Sequence, residues 1–239
     1  MSDPIVTDTR NILLQSLNPT ARDALLHLAT RHQLNRHQVL ASPGECLDAV
    51  WFPETAIGSI IAETTDGQRI EAGLVGRDGF LPVQFALSDT QIAHLTVVQI
   101  PGIALSIAAD PLRGLMKKCP DLREALLSFA HVHSFQTAQT ALCNAAYRVE
   151  QRLARWLLMC HDRVDWNELP LVHEFISVML GVRRASVTDA LHVLEERQLV
   201  ISERGCIVIR DRAALEDFAG PSYGEPEKLY RKLFGQALA

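Results

Sequence analysis

Residues 171–199 read LVHEFISVMLGVRRASVTDALHVLEERQL, two short helical patterns divided by one glycine, and few folds accommodate that arrangement. Phe175, Ile176, Met179 and Leu180 gather on one helical face, and Gly181 interrupts it. Arg183-Arg184-Ala185-Ser186 then opens a second helix whose Val187, Leu191 and Leu194 recur at helical spacing. Two short helices around a tight glycine-bearing turn make a helix-turn-helix, in which the first helix buttresses the second. Burying the Val187 face leaves Arg183, Arg184, Ser186, Thr188, Asp189 and His192 to project elsewhere. An arginine at the start of such a helix can donate two hydrogen bonds to guanine, and Ser or Thr hydroxyls suit phosphates or bases. A helical hairpin in any domain has the same apolar spacing, so the residues that follow decide. Residues 199–202 and 206–209 are β-type runs joined by Glu203-Arg204-Gly205. A hairpin directly behind the second helix makes the unit winged and places Arg204, at the tip, toward a DNA backbone. Residues 211–216 begin a closing helix.

At 239 residues the chain exceeds one ordinary domain of roughly 100–150 residues, so two compact units are expected. The net charge of −5 argues weakly against a nucleic-acid partner. Its distribution softens that: residues 1–146 carry 10 basic and 14 acidic side chains, and residues 147–212 carry 10 of each. The run MSDPIVTDTRN is polar, and no stretch approaches the ~18 consecutive apolar residues that would cross a bilayer, so a cytoplasmic protein without a membrane role is expected. Five scattered cysteines, Cys46, Cys119, Cys143, Cys160 and Cys206, fit reduced thiols.

Upstream, Leu13, Leu14, Leu17, Leu25, Leu26 and Leu28 around Asn18-Pro19-Thr20 predict one or two short helices within residues 11–34. Residues 39–107 hold short apolar runs (50–52, 59–62, 70–75, 95–100) set between Ser-Pro-Gly, Asp66-Gly67, Arg77-Asp78-Gly79 and Pro101-Gly102, the texture of a small β-barrel or sandwich. From Asp121 to Ala146 there is no Gly or Pro, so a long helix is predicted. Ala125, Val132, Gln139 and Ala146 recur every seven residues, with Phe135 and Leu142 also seven apart, a spacing that suits pairing with a second copy; packing over its own barrel is the alternative. A further helix over residues 147–163 would carry Arg148, Arg152 and Arg155 as a stripe, read as a solvated face or as phosphate contacts.

The runs EQRLARWLL (150–158), MLGVRRASVTDALHVLEERQLV (179–200) and RGCIVIRDRAALE (204–216) follow a strand-rich segment containing DGQRIEAGLVGRDGF (66–80) and the long helix. In that order, over about residues 11–218, they resemble the Crp/Fnr family of bacterial transcription regulators. The resemblance implies an α+β fold: an antiparallel, jelly-roll-like β-roll of cyclic-nucleotide-binding type with flanking helices (1–118), a dimerisation helix (119–146), a winged helix-turn-helix (147–219) and a tail (220–239). It also implies a homodimer on a near-palindromic double-stranded DNA operator with half-sites about one helical turn apart, RNA polymerase as a further candidate partner, and no catalysis.

Two departures matter. Family members read DNA with an Arg-Glu pair and a second Arg one turn on; Arg184, Ala185 and Asp189 stand there, so the familiar operator is not expected. Members that bind cyclic nucleotides hold ribose with Glu and phosphate with Arg; between Gly79 and Leu112 the only charged residues are Asp89 and Asp110. Cyclic AMP is therefore a doubtful ligand, and no cofactor is expected. Arg77, Asp78 and Gly79 would line a remodelled effector pocket or form a polar turn.

Other readings remain open on sequence alone. A haem- or metal-dependent sensor would draw on His131, His133 or His161. A β-roll metalloenzyme would need convergent ligands, and His131 and His133, two apart on a helix, point in different directions. The winged helix could also serve as a protein-interaction module without DNA. The tail's Leu229, Tyr230, Leu233 and Phe234 fit an amphipathic turn against the body or a partner, or a frayed end.

Overall fold

The computed structural model describes residues 6–87, 92–236 and 238; Asp89 lies outside them. Two short helices open the chain, α1 (Ile12–Gln15) and α2 (Pro19–Leu26), and the side chains of Asn11 and Asn18 accept the first orphan N–H groups of each. The expected helical stretch is too long at its C-terminal end, because Thr30–Leu34 is strand β1. Its sequence, TRHQL, has almost no apolar alternation, and its edge position beside a longer strand makes it a strand.

Two antiparallel sheets form the roll. The first has the order β1-β7-β3, with β3 Ala49–Pro53 and β7 Gly102–Ala108. The second runs β2-β6-β4-β5, with β2 Val39–Ala41, β4 Ile57–Glu63, β5 Arg69–Val75 and β6 Leu95–Ile100. Pro101-Gly102 is a corner between sheets as well as a turn. The chain leaves β6 there and enters β7, and a Cβ on Gly102 would sit 2.6 Å from the Ala56 nitrogen. Only glycine lets the two backbones approach that closely.

Residues 57–61 of β4 are all buried, so this strand is covered on both faces. Ile60 joins Val75, Phe52, Phe80 and Leu105 in a core inside the roll. Ile57, Ile61 and Leu74 belong to a second core shared with α5 (Val149–His161), α6 (His173–Leu180) and α7 (Arg184–Glu196). The C-terminal unit therefore packs directly on the second sheet.

After α3 (Ala109–Lys118), the 27-residue α4 (Pro120–Ala146) crosses the roll. Its Leu122, Leu126, Phe129, Val132 and Gln136 face inward, and the Gln136 side-chain oxygen accepts the Leu74 N–H at 3.0 Å. The pairing face expected from the sequence is divided: Leu142 and Ala146 are exposed. Val132 is buried in the protein's own core, and Ala125, Phe135 and Gln139 are partly covered. The stripe left outside is Leu127, His131, Ser134, Ala138, Ala141, Leu142 and Ala145. Both faces repeat at about 3.5 residues, so periodicity alone could not say which one the roll would claim.

Within residues 212–236 the tail folds onto the body. After α8 (Arg212–Ala219) a short 3₁₀ turn leads into α9 (Glu225–Phe234), which packs on α4. Tyr230 is fully buried there and donates its hydroxyl to the Asp78 carbonyl at 3.0 Å. Among the described residues no helix is long and apolar enough to cross a membrane.

Candidate nucleic-acid interface

The helix-turn-helix forms where the sequence places it. α6 closes in a Schellman motif: Val182 N–H reaches Ser177 O at 3.0 Å, Gly181 N–H reaches Val178 O at 3.2 Å, and Gly181 itself takes φ +62°. A Cβ on Gly181 would also lie 3.0 Å from Ile70 Cδ1 on β5. The turn is thus fixed by its own backbone and by the sheet beneath it. Arg152 donates to the carbonyl of Leu180, satisfying another open acceptor at the end of α6.

Val187, Ala190, Leu191 and Leu194 anchor α7. Arg183, Arg184, Asp189 and His192 are exposed along the opposite side, as is Ala185, while Ser186 is partly covered. Among the described residues Arg184 has one ionic neighbour, Glu174, at 3.8 Å, with both side chains about 70% exposed. An exposed pair of that kind is worth at most ~1 kcal/mol, less than the ~1–3 kcal/mol of a bidentate contact to guanine, so the guanidinium can be recruited by DNA. His192 pairs loosely with Glu195 at 3.5 Å.

Thr188 differs from the reading that leaves it free. Its Oγ1 lies 3.2 Å from His173 Nδ1 and donates to the Arg184 carbonyl at 3.3 Å, and His173 Nε2 lies 3.4 Å from Ser202 Oγ. His173, which sequence reasoning did not single out, thus ties α6, α7 and the wing together. Glu195 adds a second tie by accepting the Ser202 N–H at 2.7 Å.

The wing is β9 (Val200–Glu203) and β10 (Cys206–Ile209), with β8 (Glu168–Leu169) on the far side of β10. Gly205 has φ +78° in the two-residue turn, and Arg204 beside it is exposed. Arg183, Arg184 and Arg204 are thereby presented as solvent-facing cations on one winged unit.

The arginine stripe of α5 is not a solvated face. Only Arg148 is exposed; Arg155 is buried, donating to Thr140 Oγ1 at 3.2 Å, and Arg152 holds α6. Sequence reasoning missed this because cations spaced along an amphipathic helix usually mark its wet side.

Arg77, Asp78 and Gly79 are brought together, at the joint between the roll and the winged unit, and each is already committed. Arg77 pairs with Asp165, and its second nitrogen reaches the Leu238 carbonyl at 3.3 Å. Asp78 grips Arg163 in two parallel hydrogen bonds of 3.0 and 2.6 Å, with both side chains almost fully buried. A Cβ on Gly79 would meet Phe129 Cζ at 1.9 Å. The segment behaves as the polar turn.

Beside it lies a buried polar chain. Trp156 Nε1 donates to Glu71 Oε1 at 2.8 Å; Ser59 Oγ lies 2.6 Å from Glu71 Oε2 and 2.5 Å from Gln99 Oε1, and Gln99 Nε2 donates to Cys160 Sγ at 3.2 Å. One serine hydrogen cannot serve two acceptors. A proton on Glu71 completes the chain, with Glu71 donating to Ser59 and Ser59 to Gln99. Burial pushes the Glu71 carboxyl up to about 7, against the pull of its hydrogen bonds and of Arg155 and Arg163.

His131 is exposed, whereas His133 faces Gly73, and burial lowers it to about 4. His161 bonds Asn167 and Arg212. Among the described residues no three His, Cys, Asp or Glu side chains gather as a metal site.

Residues 151–218 match the Crp-like helix-turn-helix domain. No curated protein matches the chain. Among solved structures, FixK2 from Bradyrhizobium japonicum superposes with a TM-score of 0.69 at 16% identity, covering 80% of this chain and 98% of its own. The c-di-GMP responsive global regulator CLP from Xanthomonas campestris gives 0.64 at 16%, covering 81% and 100%. A CRP/FNR-family transcriptional regulator from Thermus thermophilus gives 0.63 at 16%, covering 80% and 98%. At such identities the likeness is one of fold.

Proposed function

We propose that this chain, with its Crp-like helix-turn-helix domain, is a transcription regulator of the Crp/Fnr type that reads a two-fold symmetric DNA operator as a homodimer. The observation that carries this is the exposed N-terminal end of α7, where Arg184 has only a weak partner beside the cationic wing tip. In this reading Arg184 donates to guanine, while Arg183, Ser186 and Arg204 hold phosphates. Asp189 and His192 face the groove farther along, and Thr188 acts through His173 to set the pitch of α7 against the wing. Ala185 and Asp189 give the operator a sequence of its own.

The second protomer pairs along the outer stripe of α4. Ser134, Ala138, Ala141 and Ala145 allow two helices to approach closely, and Leu127 and Leu142 supply apolar area. The cation set is small, so affinity should fall with salt more gently than for a protein with many phosphate contacts. RNA polymerase is a further partner in this proposal, and the signal acts through the roll rather than through the occupied turn at Arg77, Asp78 and Gly79.

Selection of binding sites from random duplex DNA, comparing wild type with Arg184→Ala at one salt concentration, tests the reading. A palindromic site whose preference relaxes at one base pair per half-site in the variant supports it. Enrichment of no sequence, together with salt-independent retention of other proteins by the winged unit, would replace it with a protein-interaction role.

A further inference from the structure

The chain leaves an open cleft of about 730 Å³ between the 3₁₀ turn Val83–Ala86, α3 and the first turns of α4. That volume lies within the ~300–1,000 Å³ typical of small-molecule sites. Its apolar wall is Phe85, Leu87, Met116 and Leu127. Leu87 is 67% and Leu127 36% exposed, so uncovered hydrocarbon gathers here on an otherwise ordinary surface. Lys117 and Arg123 stand on the same cleft, both exposed, and neither forms an ion pair among the described residues. Arg113 lies over the Phe85 ring, 5.3 Å from its centroid, and bonds Asp110 at 3.0 Å. The one carboxylate on the lining is Glu124. Cations therefore outnumber anions at this wall on a chain whose net charge is −5.

We propose that this cleft binds an amphipathic organic monoanion, an acyl or aryl carboxylate, with its hydrocarbon against Leu87, Met116 and Leu127 and its charge between Lys117 and Arg123. The pairing of an apolar wall with two cations that have no ion pair among the described residues selects this class. A neutral alkane would leave the cations idle, and a bare phosphate would leave the wall wet. The site is separate from the turn at Arg77 to Gly79. It touches α4, whose opposite end leads into α5 and whose Leu127 opens the outer stripe, so a ligand here would bear on the helix that links the roll to the winged unit.

Octanoate is the probe, titrated calorimetrically into the full-length protein without DNA, with octanol and octylammonium as controls. Saturable binding at one site per chain is expected, about tenfold weaker in the Lys117→Gln/Arg123→Gln double variant, since each exposed charge contributes modestly. Leu87→Ser should weaken octanoate as well. These residues are at the surface, so unchanged thermal unfolding of the variants shows the fold intact. No saturable binding, equal affinity in the double variant, or octanol binding as tightly as octanoate overturns the proposal. Because DNA is absent, such a failure leaves the operator reading untouched, and a failed operator selection leaves this one standing.

Discussion

Trp156 on α5 donates its indole N–H to Glu71 on β5 at 2.8 Å, so a hydrogen bond to a carboxyl group deep in the protein joins the winged unit to the roll. That carboxyl carries its proton up to a pH of about 7 because burial disfavours the anion.

Stability should therefore depend on pH through Glu71. In the unfolded chain it ionises near its ordinary 4.5, in the fold near 7. Between those values the folded protein binds the extra proton, so the Glu71 contribution weakens as pH rises through the window and levels off above it. The full difference is on the order of 3 kcal/mol. His133, lowered to about 4 by burial, acts in the opposite sense from pH 4 up to its ordinary 6.5. The readout is thus the difference between wild type and Glu71→Gln in urea unfolding: the variant should gain relative stability from pH 5 to pH 8. A constant difference across that range would mean Glu71 is already ionised in the fold.

Gly181→Ala should destabilise by roughly 1–3 kcal/mol, since it forces a left-handed residue to carry a Cβ. Part of that loss belongs to Ile70, 3.0 Å from the added carbon. Adding Ile70→Val should return some of it, measured by chemical denaturation. Two purely additive losses would place the whole cost in the backbone.

Asp78→Asn leaves Arg163 buried and unpaired, at a cost of about 3–5 kcal/mol. The double variant Asp78→Leu/Arg163→Met should recover much of it, and thermal melts of the three proteins report the ordering.

At the DNA surface the variants should separate by role. Arg184→Ala should cost about 1–3 kcal/mol on the best operator and relax one position per half-site. Arg204→Ala should weaken all sequences alike and reduce the salt slope by about 1. Titrations at three salt concentrations distinguish the two.

Ala138→Glu sets like charges against each other across the proposed α4 pairing, and sedimentation should show a folded monomer. Val132→Glu is the contrast. Val132 is buried within the protomer, so that change should unfold the chain rather than dissociate it.

The winged unit was legible because its apolar spacing, its glycine and its turn chemistry agree with one another. β3 to β6 were legible from short runs between turn residues. β1 was hidden in TRHQL, whose polar residues are acceptable only beside β7. The face of α4 was hidden because two stripes share one period. The buried ionisable groups Glu71 and Arg163 were hidden for a different reason: each is tolerable only through partners distant in sequence, 85 residues away for Trp156 with Glu71 and for Arg163 with Asp78. Of the residues proposed to face DNA, Arg183, Arg184, Asp189, His192 and Arg204 are exposed, whereas Thr188 is tied to His173.

Ile57, Ile61 and Leu74 of the roll lie in the same core as Leu153, Ile176, Leu191 and Ile207 of the winged unit. The winged unit is thus not a transplantable module. Cut out at the end of α4 and grafted onto another roll, it would expose a face built to fit this one. A change of volume on β4 or β5 would be felt at once by α5 and α6, and the reverse.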